Sequence, residues 1–237
     1  MSRYEILNRE KHRLLRIRTD FGAALGDAVM YVMTYPMEFR DIQSCYPILF
    51  TKDLNTGGFF AAAVLGIESD QNLFLQGNRW DAAYIPAMVQ RQPFMIATGG
   101  EGDNRTPVVS LDLDHPRVSH DKGEALFDIE GDATEFLNQR IALLDNIHRG
   151  LQHGRGFIDT LLQHELLEQI TLDIAFNDGA KKSLQGFYCI AEERLYRLDG
   201  DVLESLNRSG YLQPVFMAVA SLSRMRDVIE RRNRLRV

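Results

Sequence analysis

Six histidines are the side chains of this 237-residue chain whose spacing most invites chemistry. His115 and His120 lie five apart, as do His148 and His153, whereas two imidazoles that share one helix face to grip a metal need a spacing of four. Neither pair sits in an H-E-x-x-H pattern, so no metal centre is expected; HDKGE (120–124) with His115 would be its least remote source. Ser110 and Ser119 stand near histidines along the chain, yet no G-x-S-x-G elbow frames either, and closeness in sequence does not make a triad in space. The carboxylates of SLDLDHP alternate along a strand and should face solvent. Cys189, inside the apolar run GFYCI, reads as a buried, inert thiol. The glycines of GLQHGRG and ATGGEGDN lack both the Lys-Ser/Thr of a P-loop and the strand-to-helix spacing of a dinucleotide fingerprint, so they read as flexible connections. No catalytic set and no cofactor are expected.

A different pattern occupies NLFLQGNRWDAAYIPAMVQRQPF (72–94), which holds the only tryptophan, Trp80, and the prolines Pro86 and Pro93. Rigid aromatics clustered with arginine supply most of the energy at interfaces and pockets. Arg79, Trp80, Tyr84, Arg91 and Phe94 are therefore the candidate residues for holding a protein partner or a small apolar or peptide ligand. The plainer reading is structural: Trp80 and Phe94 cover a core edge, the prolines fix φ and end ladders, and Arg91 lies over an aromatic face.

Composition narrows the class. With 45% hydrophobic and 25% charged residues the chain can bury a sizeable core. A net charge of −6 argues against a protein whose task is to neutralise nucleic-acid phosphates. Two cysteines far apart, Cys45 and Cys189, indicate neither a disulfide framework nor a thiolate metal site and point to a reducing, cytoplasmic setting. FGAALGDAVMYVMTYPM (21–37) resembles a membrane or signal segment only until Asp27 is noticed, since a charge at mid-span costs roughly 2.5–3.5 kcal/mol on insertion; it reads as a buried strand. The C-terminal RMRDVIERRNRLRV complements the negative end of a helix, the favoured account, or meets an acidic partner, anionic lipid or nucleic acid.

These residues need elements to position them. YEIL (4–7), LLRIR (14–18), AVMYVMT (28–34), YPILFT (46–51), FFAAAVLGI (59–67), NLFLQ (72–76), FMIATG (94–99) and VVSLDL (108–113) are predicted strands. KDLNTGG makes the fourth and fifth an antiparallel pair, GGEGDN (99–104) is an exposed loop, and MEFRDIQSC (37–45) is a short helix. From about residue 120 the period lengthens. A helix is predicted from near Asp132, with Phe136, Ile141, Leu144, Ile147 and Leu151 inward, ending at Gly150, Gly154 and Gly156 before a second helical piece. A hairpin over 170–190 turns at Asn177-Asp178-Gly179. A helix, or two broken at Gly200, stops at Gly210, and a final helix buries Val215, Val219, Leu222, Met225 and Ile229. The expected fold is α+β: a single domain, 1–237, with an antiparallel strand-rich half (1–119) packed with a helix-rich half (120–237).

The order of several pieces resembles the bacterial SapC family. They are Tyr46-Pro47-Ile48 with Phe50 and Lys52-Asp53, Leu65-Gly66, Asn72-Leu73-Phe74, Trp80 with Tyr84-Ile85-Pro86-Ala87, and Arg91 with Pro93-Phe94; then Gly186-Phe187-Tyr188-Cys189-Ile190, Leu203 to Leu206, Gly210-Tyr211-Leu212 and Ala220-Ser221-Leu222. Where the family shows Arg-Arg-Tyr-Pro-Phe, this chain has Gln90-Arg91-Gln92-Pro93-Phe94. The resemblance implies an accessory role and brings no catalytic residue set; joined to the cluster of rigid aromatics with few titratable groups, it gives the expectation of a non-catalytic accessory or binding protein working through the Trp80–Phe94 region and the Gly186–Ile190 hairpin. It also implies two alternatives, an enzyme or subunit of a flavin-dependent, halogenase-like pathway and a surface-layer or secretion component. A homodimer is compatible with the sequence, and no membrane span is expected.

Overall fold

The computed structural model describes residues 3–99 and 106–235. In chain order its strands are β1 (Tyr4–Ile6), β2 (Arg16–Ile17), β3 (Tyr31–Thr34), β4 (Ile48–Lys52) and β5 (Phe59–Val64). There follow β6 (Leu75–Gln76), β7 (Arg79–Trp80), β8 (Phe94–Gly99), β9 (Thr106–Asp112), β10 (Val118–Ser119), β11 (Glu124–Ala125), β12 (Leu167–Ala175) and β13 (Lys181–Ile190). The helices are α1 (Arg9–His12), α2 (Phe39–Cys45), α3 (Ala87–Gln90) and α4 (Glu135–Gln163), then α5 (Glu192–Leu195), α6 (Gly200–Arg208), α7 (Leu212–Ser221) and α8 (Met225–Arg234). The architecture is α+β, with antiparallel sheets and the long helices in the C-terminal half. No described helix is long and apolar enough to cross a membrane. Apart from Gly99, which ends β8, the predicted GGEGDN loop lies outside the described residues.

Two compact units are threaded from interleaved stretches. The first takes Met1–Asp27, Leu75–Trp80 and Ala87–Arg149; the second takes Ala28–Phe74, Asp81–Pro86 and Gly150–Val237. The first holds the sheet β1-β9-β8, the small sheet β10-β2-β11 and the ribbon β6-β7. Its core is Leu15, Ile17, Phe94, Leu111 and Leu126 with Leu137 and Leu144 of α4. Thr134 Oγ1 accepts the Leu137 amide at 3.3 Å, which places the start of α4 beyond the predicted Asp132. Ile141, predicted inward, is exposed, because the buried stripe runs through Leu137 instead.

The stretch 21–37 was expected to be one strand, and only Tyr31–Thr34 is. Gly26, at φ 85°, closes a 3-10 turn ahead of it, a conformation that costs glycine least. Asp27 is drawn inside because Arg117 meets both its oxygens at 2.8 Å and the Gly22 amide donates to it at 2.8 Å. A buried charge persists only when paired in this way.

The second unit is built on the five-stranded antiparallel sheet β12-β13-β4-β5-β3. The predicted hairpin is present: Gly179 takes φ 83° and Phe176 accepts its amide at 3.0 Å, closing the turn between β12 and β13. β13 pairs with β4 at Phe50 and Thr51, and further back along β4 the Ile48 amide donates to Ser221 Oγ at 2.8 Å, which ties α7 to the sheet. Phe39 of α2 and Phe50 of β4 both pack on Phe157 of α4, with ring centroids 5.9 and 6.4 Å away.

Two helix boundaries differ from expectation. α4 runs unbroken through Gly150, Gly154 and Gly156, and merges with the piece predicted to follow it. A Cβ on Gly150 would sit 2.2 Å from the Tyr35 ring and one on Gly156 2.6 Å from the Tyr211 hydroxyl. These glycines admit neighbours against the helix rather than ending it. The predicted final helix is divided by a 3-10 turn at Leu222–Arg224, and of its predicted inward residues only Val215 is fully buried.

Candidate functional site

A cleft of about 420 Å³ opens within the second unit. One wall is α4, which presents Leu151, Gly154, Arg155 and Ile158 at spacings of three and four, so they share a face. The opposite side is the end of β3 and the turn after it, Met33 to Pro36, together with Phe59, Phe60 and Ala61 of β5. The β4–β5 turn contributes Asp53, Thr56 and Gly58, and Phe157 closes the inner end. Gly150 and Gly154 bring the helix backbone up to Tyr35 and Pro36, where a Cβ on Gly154 would already lie 3.4 Å from the proline ring. A larger residue there would fill the space.

The polar groups along this lining are mostly committed. Thr34 Oγ1 donates to Glu38 Oε2 at 2.7 Å, and the Tyr84 hydroxyl donates to Glu38 Oε1 at 2.9 Å, so the 4% exposed Glu38 carboxylate holds two hydroxyls behind the cleft. Burial and this neighbouring carboxylate raise the phenols of Tyr35 and Tyr84 above their ordinary values, and both stay protonated. The Tyr46 hydroxyl donates in turn to the Tyr84 carbonyl. Asp53 Oδ1 accepts the amides of Asn55 and Thr56 at 3.0 and 2.8 Å and the Thr56 hydroxyl at 2.9 Å. Those bonds, with the Thr56 amide foremost, hold its carboxyl below the usual range.

The five residues singled out in the sequence are distributed otherwise. Arg79 and Trp80 form β7 in the first unit, with Arg79 exposed and the half-buried Trp80 edge-on to Phe21 at 5.5 Å. Arg91 and Phe94 meet there too, since Arg91 Nη1 donates to the Phe94 carbonyl at 2.7 Å, a contact in place of the predicted aromatic face. Burial lowers the Arg91 pKa. The Phe94 ring is wholly enclosed in the first unit's core. Tyr84 belongs to the second unit, on Glu38. In the hairpin named beside them, Phe187 meets Tyr31 at 5.7 Å and Tyr188 meets Phe59 at 4.8 Å.

Among the described residues no three His, Cys, Asp or Glu side chains come together to hold a metal ion. Cys189 is buried; burial, then Glu168 and Glu192, push its thiol up to about 11. Sequence reading passed over Tyr35, Phe60 and Arg155. The signal was present in Gly150 and Gly154, a pair of small residues four apart on an apolar helix face, which marks close approach as readily as termination.

The model of the SapC family matches residues 7–228 of the 237. No curated protein and no solved structure matches the chain. With the match running from before α1 into α8, the chain belongs to the SapC family.

Proposed function

We propose that this SapC-family protein is a non-catalytic binding protein whose cleft between α4 and the β3–β5 side of the sheet takes a small apolar ligand. The observation that carries the reading is the lining: Tyr35, Phe59, Phe60 and Phe157 with Met33, Leu151 and Ile158 around a space of about 420 Å³. Small-ligand pockets are concave, mostly apolar and roughly 300–1,000 Å³, with a few placed polar groups. The Tyr35 phenol of the lining is a poor proton donor or acceptor near neutral pH, which suits holding by shape. Tyr84 takes part from behind, through Glu38; Arg79, Trp80, Arg91 and Phe94 play no part in this reading.

A neutral fluorescent probe, N-phenyl-1-naphthylamine, tests it. The wild-type protein binds the probe at a single saturable site, and Gly154→Leu and Ile158→Trp each abolish binding while far-UV circular dichroism is unchanged. Failure of the folded wild type to bind, or binding unaffected by both substitutions, overturns the reading.

A further inference from the structure

Charge at the mouth of the cleft narrows the ligand class. Asp53 engages one carboxylate oxygen, Oδ1, in the turn that it closes and keeps its negative charge, and Thr34 spends its hydroxyl on Glu38. Arg155 differs: it is exposed on the α4 wall and has no hydrogen bond or ion pair to any described residue, although Asp159 lies one turn further along the same helix. Arg194, Arg208 and Arg231 of the same unit are matched, by Glu165 at 2.9 Å, by Glu204 and by Asp81 at 2.6 Å, while Arg40 and Arg226, which lack such a partner too among the described residues, do not line the cleft. A second cation adds to the field, because Lys52 Nζ stands 4.8 Å from the centroid of the Phe59 ring, whose side chain lines the cleft. Two cations, Arg155 and Lys52, stand against the one carboxylate of Asp53 around this apolar space, a positive balance on the side of the α4 wall.

Resting on the reading of the cleft as a ligand site, we propose that its ligand is an anionic amphiphile, an apolar chain ending in a carboxylate. The chain lies among Tyr35, Phe59 and Phe157, and the carboxylate meets the Arg155 guanidinium, whose planar fork suits two carboxylate oxygens.

Three probes of equal chain length, dodecanoate, dodecanol and dodecylammonium, separate this from the reading beneath it when their binding is followed by displacement of N-phenyl-1-naphthylamine. Dodecanoate binds tightest, and Arg155→Gln weakens it by roughly fivefold, the scale of one solvent-accessible charge pair. The same substitution leaves dodecanol within about a factor of two, as expected for a group that contributes charge but little apolar contact. Arg155→Lys recovers part of the loss, and added salt weakens dodecanoate alone. Equal binding of all three, preference for dodecylammonium, or an Arg155→Gln effect of the same size on dodecanol overturns the anionic class and leaves the apolar cleft standing. No binding of any of the three to a protein that still binds the neutral probe overturns the amphiphile. No binding of the neutral probe itself overturns the ligand site.

Discussion

His115 shows how a single residue can carry a measurable consequence without any catalytic part. Burial lowers its pKa below the ordinary 6.5, and the adjacent Arg117 cation adds to the effect. The folded protein therefore resists a proton that the unfolded chain accepts near pH 6.5, so stability falls as pH drops through that value and is recovered above it. Urea unfolding at pH 7.5 and pH 5.5 should show a loss for the wild type that His115→Asn reduces; an unchanged loss would assign the slope to other groups. Asp27 and Arg117 show the opposite limit of legibility. The sequence displays an acid in an apolar run and nothing of the arginine 90 positions away that accepts it. A similar distance in chain separates the α4 residues of the cleft, 151–158, from those at 33–61, whose types are ordinary and whose meaning lies in being neighbours.

Elements with local signals were the ones that could be read. The eight strand segments of the N-terminal half all contain strand, and the Asn177-Asp178-Gly179 turn lies where its positive φ requires glycine. Some of the pieces behind the family resemblance also meet in the second unit: Ile48 bonds to Ser221 and Tyr46 to Tyr84, and Thr51, between two of those pieces, bonds to the Gly186 carbonyl at 3.0 Å. The glycines of α4 were misread because glycine has two uses, freedom of φ and absence of a side chain, and only the packed structure separates them. That difference is testable in one helix. Gly150→Ala gains up to about 1 kcal/mol in helix propensity but drives a methyl into the Tyr35 ring, a cost of about 1–3 kcal/mol. Gly154→Ala meets only the edge of Pro36 at 3.4 Å and keeps most of its gain. Thermal unfolding should rank Gly154→Ala at or above the wild type and Gly150→Ala below it; the reverse order would remove the packing account.

At the scale of the whole molecule the arginine-rich end is a structural part of the second unit. Arg231 binds the Asp81 carboxylate at 2.6 Å and its carbonyl at 2.9 Å, and lies 4.3 Å from the centroid of the Phe74 ring. Arg232, 3% exposed, stands over Phe176 at 4.6 Å and 3.7 Å from Asp178. Composition suggested either a helix-end complement or a site for an acidic partner, and could not show that two of these charges face inward. Replacing both by alanine should lower stability by about 2–5 kcal/mol in urea unfolding, as expected when buried cation contacts are removed. Unaltered unfolding would return them to the surface role.

The interleaved threading sets a timetable for the newborn chain. Phe74 and Asp81 leave the ribosome some 150 residues ahead of the Arg231 that covers and neutralises them. At roughly 5–20 residues per second that wait lasts about 8–30 s. Until β13 (Lys181–Ile190) emerges, through roughly the first two thirds of that wait, β3, β4 and β5 stand as a half-finished sheet whose β13 edge is still unmade. Synthesis in a cell-free system should accordingly yield aggregates from chains halted near residue 160, and far fewer when a holding chaperone is supplied during translation.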